Sequence, residues 1–127
     1  MKHFLSALIV LFASQMANAQ DSFPYNLKLE PMIPQGFAGL QSYAWAKSGS
    51  KVLLVGGRID GLHRRQPFAS FNRKYNNTDL VVIDLQTEKV WRKSVTGLPA
   101  KLAEQLQSSN MEFFQEQNDL FIIGGYG

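Results

Sequence analysis

Cysteine is absent from all 127 residues, which excludes a disulfide framework, a thiol for lipid attachment and any cysteine-based metal or redox centre. Histidine is nearly as scarce, with two in the chain. His3 belongs to the extreme N-terminus, so His63 stands alone in the remainder and a multi-histidine metal site is excluded within this segment. Long hydrophobic runs are also missing: the apolar run over residues 4–13 falls well short of the roughly twenty residues a membrane-spanning helix needs. Nor is one sign of charge dominant, since 13 Lys+Arg stand against 10 Asp+Glu for a formal charge of +3. Much of that surplus sits in one loop, which is not the concentrated basic face of a nucleic-acid binder. The hydrophobic fraction of 45% is that of an ordinary globular chain, so the shortage of helical patterns does not reflect disorder.

The N-terminus carries the three parts of a secretory signal: Lys2 and His3, the apolar run that follows, and the small-x-small triplet Ala17-Asn18-Ala19. Residues 1–19 are expected to be removed, leaving Gln20 as the new terminus and no membrane span. Loss of Lys2 leaves 12 basic against 10 acidic residues. The expected product is periplasmic or secreted.

Residues 20–39 are broken by Pro24, Pro31, Pro34, Gly36 and Gly39, which rule out a long helix because proline lacks the donor and glycine costs entropy. A short extended piece fits at residues 25–30. Beyond it the apolar pattern consists of strand-length runs at residues 42–46, 51–55, 80–84, 90–93, 111–115 and 120–123, each bounded by turn residues. Residues 47–50 and 116–119 read as hairpin turns, with Gly49 and Asn118 supplying the unusual backbone angle. Helical spacing occurs only at residues 99–106, where Leu98, Leu102 and Leu106 recur at every fourth position and Pro99 suits a first turn.

Two segments repeat one order of turn, apolar run and glycine pair: residues 49–57, ending in Gly56-Gly57, and residues 117–125, ending in Gly124-Gly125. Each follows an aromatic-bearing strand, with Tyr43 and Trp45 in one and Phe113 and Phe114 in the other. A continuously apolar strand closed by two glycines suits a sheet buried on both faces. These residues resemble the Kelch repeat, whose four-stranded blades close the second strand with a diglycine and carry a tryptophan on the fourth. In that resemblance residues 52–57 match the second strand, residues 80–84 the third, Val90-Trp91 the fourth, and residues 111–125 begin the next blade. It implies an all-β fold of four-stranded antiparallel blades from a β-propeller, incomplete in this chain. Residues 40–108 form a first blade with insertions at residues 58–78 and 94–110, and residues 109–127 start a second. Residues 25–30 are expected to be a strand lent to the final blade of a complete ring.

The resemblance brings the second-to-third-strand loop and the loop between blades to one face, which is commonly the binding face. The first of these loops holds Arg58, Asp60, His63, Arg64, Arg65, Arg73 and Lys74. Guanidinium groups grip carboxylates and sulfates bidentately, so Arg58, His63, Arg64 and Arg65 are the candidate binding residues for an anionic protein or glycan. The competing reading is a solvated charged loop. His63 has no partner fixed by spacing, Asp84 follows a strand and suits the next turn better than a carboxylate pair with Asp60, and Ser48, Ser70 and Ser94 lack a nucleophile-elbow context. Gly56-Gly57 has no Gly-Lys-Ser/Thr tail and is no phosphate loop. Trp45, Trp91, Phe113 and Phe114 are assigned to blade packing, with Trp91 expected against Leu53 and Val55.

No cofactor or metal is implied. The first functional reading is a non-catalytic binding or scaffold module of the cell envelope. The second is a carbohydrate-active Kelch enzyme such as a sialic acid epimerase or mutarotase, with Arg58 or Arg64 handling the sugar. A third is a truncated product without a stable fold. Copper radical oxidases share the architecture, but their tyrosine–cysteine crosslink needs a cysteine that this piece lacks.

Overall fold

A computed structural model of the chain describes residues 25–61 and 72–127. The expected signal segment, residues 1–19, and the candidate residues His63, Arg64 and Arg65 lie outside the described residues. The chain divides into Met1–Pro31 and Met32–Gly127. In the first unit, residues 25–30 are exposed and belong to no strand.

The second unit is mostly β. Strands β1 (Ala44–Ser48), β2 (Lys51–Val55), β3 (Asp79–Asp84) and β4 (Val90–Ser94) form a four-stranded antiparallel sheet in sequential order. A helix, α1 (Ala100–Gln107), leads to a second antiparallel pair, β5 (Glu112–Glu116) and β6 (Asp119–Ile123). The six strand runs read from the sequence all form strands, with ends shifted by a residue or two.

Burial on both faces of the first sheet explains why β2 has no polar alternation. Ala44 and Val55 join Met111, Leu53, Leu80, Leu106, Leu120 and Ile122 in one apolar cluster, while Leu54, Val81 and Ile83 join Phe37, Leu40, Tyr43, Val52 and Val90 in another. The second sheet approaches the first at β1. Trp45 and Phe113 meet edge to face with centroids 6.0 Å apart, and the Gln115 amide both accepts from Lys47 N (2.8 Å) and donates to Lys47 O (2.9 Å).

Lys47 and Gln115 are 68 positions apart, and the same offset superposes the unusual backbone angles of the two sheets. Ser42 (φ 56°) corresponds to Asn110 (53°), Gly49 (58°) to Gln117 (51°), Gly56 (63°) to Gly124 (68°) and Gly57 (83°) to Gly125 (109°). The isolated bridges Gln41↔Arg58 and Ser109↔Tyr126 follow it as well. The sequence repeat is therefore a repeat of conformation. In the 116–119 turn the positive φ falls on Gln117 and not on the expected Asn118, because Gln117 occupies the position of Gly49 in the equivalent hairpin.

Gly56 shows what the first diglycine does: a Cβ there would stand 2.2 Å from Ser108 O and 2.5 Å from Met111 Cε. Gly57 N donates to Ser108 O (2.8 Å), and Asn110 N donates to Ser42 O (3.0 Å). The backbone entering the second sheet thus rests directly on the end of β2.

Two packing expectations fail. Trp91 is 39% exposed: it sits on the edge strand β4, where it pairs with Val82 of β3, two strands from Leu53 of β2, while the two-stranded second sheet approaches at β1. Lys89 lies over its ring at 5.0 Å. In α1 the buried residue is Ala103, whereas Leu98 and Leu102 are exposed; the small alanine side chain lets the helix approach closely, and only Leu106 of the expected leucine row joins the core.

Candidate functional site

The long connection between β2 and β3 leaves the diglycine end of the sheet through a closed stem. Ile59 N donates to Tyr75 O (2.9 Å), Asn76 N to Arg73 O (3.0 Å) and Asn77 N to Gly57 O (2.9 Å), while Arg58 bridges Gln41 on one side and Asn76 on the other. Both ends of the insertion are consequently tied, and residues 62–71 are the part of it outside the described residues.

Arg58 is the centre of the stem and is 3% exposed. Its Nε and Nη2 donate to the two carboxylate oxygens of Asp60 at 3.0 and 2.7 Å, the fork-on-fork geometry that makes arginine–carboxylate pairs both strong and directional. Nη1 donates to Asn76 Oδ1 (3.1 Å) and Nη2 to Asn72 O (3.3 Å). Asp60 pairs with the charge of Arg58, and the bonds to Asn76 and Asn72 tie the outgoing strand to the returning one. Its geometry is that of a positioning residue.

Asn72, Asn76 and Asn77 complete the stem and were not singled out as site residues by sequence. Asn72 accepts from Lys74 N (3.1 Å) and starts a 3-10 turn at Arg73–Tyr75. The Asn77 amide donates to Gly56 O (3.1 Å) and Asp79 O (2.6 Å) and accepts from Asp79 N (3.1 Å). The signal available in the sequence was the Asn76-Asn77 pair just before an apolar run, since asparagine side chains bond nearby backbone in place of a ladder.

Beside Arg58 lies an open hollow of about 250 Å³ bounded by residues 38–41, Ile59 and Gly61. The Gln41 side-chain amide donates to Gly61 O across it. On the other flank Arg73 Nη2 meets Glu104 of α1 at 3.4 Å, so the β2–β3 connection and the connection between the sheets are neighbours. Lys74 sits over the Tyr75 ring at 4.7 Å. Arg73 and its partner Glu104 are both largely exposed, so that pair adds little to stability.

At the opposite end of the sheet, Asp84 caps the β3–β4 turn as its sequence position implied. Its Oδ1 accepts from Gln86 N (3.0 Å) and Thr87 N (3.4 Å), and Lys51 Nζ stands 3.6 Å away. The Gln86 N–H is the main reason that its carboxyl titrates below the ordinary value; burial opposes the shift, and Thr87, Ser50 and Lys51 reinforce it. This carboxylate has a structural task and does not approach Asp60.

Among the described residues no group of three or more acidic or histidine side chains is placed to hold a metal ion, and no helix is long and apolar enough to cross a membrane. Comparison with protein-family models, with curated proteins and with solved structures finds no match.

Proposed function

We propose that this chain is an exported Kelch-type β-propeller segment that acts as a binding or scaffold module, engaging an anionic protein or glycan through the loop between β2 and β3. The observation that carries the reading is the conformational repeat: a four-stranded antiparallel sheet is followed, 68 positions on, by a hairpin with the same φ pattern and the same diglycine closure. Export rests on the N-terminal signal pattern.

The stem supports a loop-borne site in physical terms. Binding loops work best on a rigid base, because ordering them on binding costs entropy, and Arg58, Asp60, Asn76 and Asn77 supply such a base. In the sequence, His63, Arg64 and Arg65 fall between the two ends of the insertion that the stem ties and carry the cationic chemistry suited to carboxylate or sulfate groups. Probing the full chain on an array of sialylated, sulfated and neutral glycans, alongside a sugar-anomerisation assay, tests the assignment. Selective retention of the anionic glycans without anomerisation is expected. Catalysed anomerisation would replace the scaffold reading with the enzymatic one.

A further inference from the structure

Of the four methionines in the sequence, Met1 and Met16 fall in the expected signal, which leaves Met32 and Met111 in the mature chain. Met32 is 42% exposed and Met111 5%. Met111 sits where the connection between the sheets enters β5, in the apolar cluster with Ala44 and Val55. Its side chain reaches both glycine pairs: a Cβ on Gly56 would stand 2.5 Å from Met111 Cε, and a Cβ on Gly125 would stand 2.7 Å from Met111 Cγ. The sulfur, bonded to both of those carbons, is therefore held between the two diglycine closures.

The polar groups flanking this side chain are carbonyls and donors already in use. Ser108 O lies beside Gly56 and Ser109 O beside Gly125, and each accepts a backbone hydrogen bond, from Gly57 N (2.8 Å) and Tyr126 N (2.8 Å). The serine hydroxyls are engaged as well: Ser108 Oγ donates to Glu104 O (2.9 Å) and Ser109 Oγ to Tyr126 O (3.1 Å). A thioether suits such a place because it demands no hydrogen bond. A sulfoxide does not, since its oxygen is an acceptor that would meet carbonyl oxygens of like polarity.

We propose that Met111 is a redox-sensitive pin between the two sheets: oxidation of its thioether by a peroxide unseats β5–β6 from the end of β2. One oxygen passes from hydrogen peroxide to sulfur; the O–O bond breaks, the S–O bond forms, and sulfur is oxidised as the peroxide is reduced to water. A thiol-dependent sulfoxide reductase reverses the step, its thiols closing to a disulfide as the oxygen leaves as water. Burial slows oxidation while the sheets are seated, so the sulfoxide forms on the parted state and holds it open. The effect reaches the β2–β3 stem, because the Gly57 peptide that donates to Ser108 O also accepts from Asn77 N (2.9 Å).

This inference involves no ligand, so its failure would leave the loop-binding reading untouched. The test is graded hydrogen peroxide treatment of the mature chain, with the oxygen gained at each methionine read by peptide mass spectrometry. Seating is read by amide hydrogen exchange at Gly57 and Asn110, whose N–H groups bond to Ser108 O and Ser42 O. Met32 should gain oxygen first and change neither amide. Oxygen at Met111 should speed both by at least about tenfold, the scale set by a buried polar group without its hydrogen bond, and sulfoxide reductase should restore them. Met111→Leu, a volume-conserving change, should keep both amides protected at every dose. Met32→Leu leaves Met111 as the one methionine of the mature chain, so loss and reductase-driven recovery in that variant decide the matter even where Met111→Leu folds poorly. Oxygen at Met111 with both amides still protected, a Met111 that resists every dose short of unfolding, or an equal rise in exchange in a folded Met111→Leu would each overturn the proposal.

Discussion

Gly56 and Gly124 provide a matched pair of substitutions, because they share a backbone conformation and differ only in what lies above them. Their φ angles are 63° and 68°, so alanine at either site pays the same left-handed strain, about 1–2 kcal/mol. Reduced freedom of the unfolded chain returns about 0.4–1 kcal/mol. Gly124→Ala, with open space around the new methyl, should therefore lose between nothing and about 1.6 kcal/mol. At Gly56 the same methyl would lie 2.2 Å from the Ser108 carbonyl oxygen and 2.5 Å from Met111 Cε. The methionine can swing aside; the backbone carbonyl cannot move without shifting the Gly57 N–H bond to it. Overpacking of this kind adds about 1–3 kcal/mol, so Gly56→Ala should lose clearly more than Gly124→Ala. Urea unfolding of the full chain, followed by tryptophan fluorescence and circular dichroism, measures both, with equal m-values required for the comparison. Equal losses would refute the close seating of the second sheet on the first diglycine.

Replacing Arg58 with methionine removes one partner of a buried ion pair in which the Asp60 side chain is 11% exposed and should cost up to about 3–5 kcal/mol; adding Asp60→Leu should recover part of that loss in the same urea assay. Trp91→Ala should cost about 1–3 kcal/mol, below the range of about 3–5 for a fully packed aromatic, since the ring is 39% exposed; a midpoint shift in the higher range would contradict the edge position. Asp84 has a lowered folded-state pKa, so in the acidic window the unfolded chain binds more protons. Its contribution is present above the unfolded carboxylate pKa and is lost as pH falls through the folded one; Asp84→Asn should flatten that acid limb in thermal melts against pH, and an unchanged limb would show that the turn cap is not the source.

The β elements were legible because turn chemistry and apolar runs are local. Gly49, Gly56-Gly57 and Gly124-Gly125 announced both the hairpins and the repeat before any contact was known. What stayed illegible depended on partners distant in sequence. Trp91 reads as core by composition, and only the width of the facing sheet leaves it at the edge. Leu98 and Leu102 have helical spacing, yet Ala103 is what the approach of α1 buries. Arg58 was grouped with Arg64 and Arg65 by proximity in sequence, whereas the return of Asn72 and Asn76 across the stem turns it into a buried tie. Gln117 takes the left-handed position in place of its neighbour Asn118, because the hairpin register, fixed by the Glu116↔Asp119 pair, decides which residue occupies it.

The loop assignment is tested most directly by titrating sialyllactose and a sulfated oligosaccharide into the full chain and into a His63→Ala, Arg64→Ala, Arg65→Ala variant at two salt concentrations. Each charge-assisted hydrogen bond is worth about 1.5–3 kcal/mol net, so the variant should lose at least about tenfold in affinity for the anionic ligand that binds. Its thermal midpoint should hold, since the Arg58–Asp60 stem is intact. Equal affinities for variant and parent at both salt concentrations would contradict the assignment and remove this loop from the site.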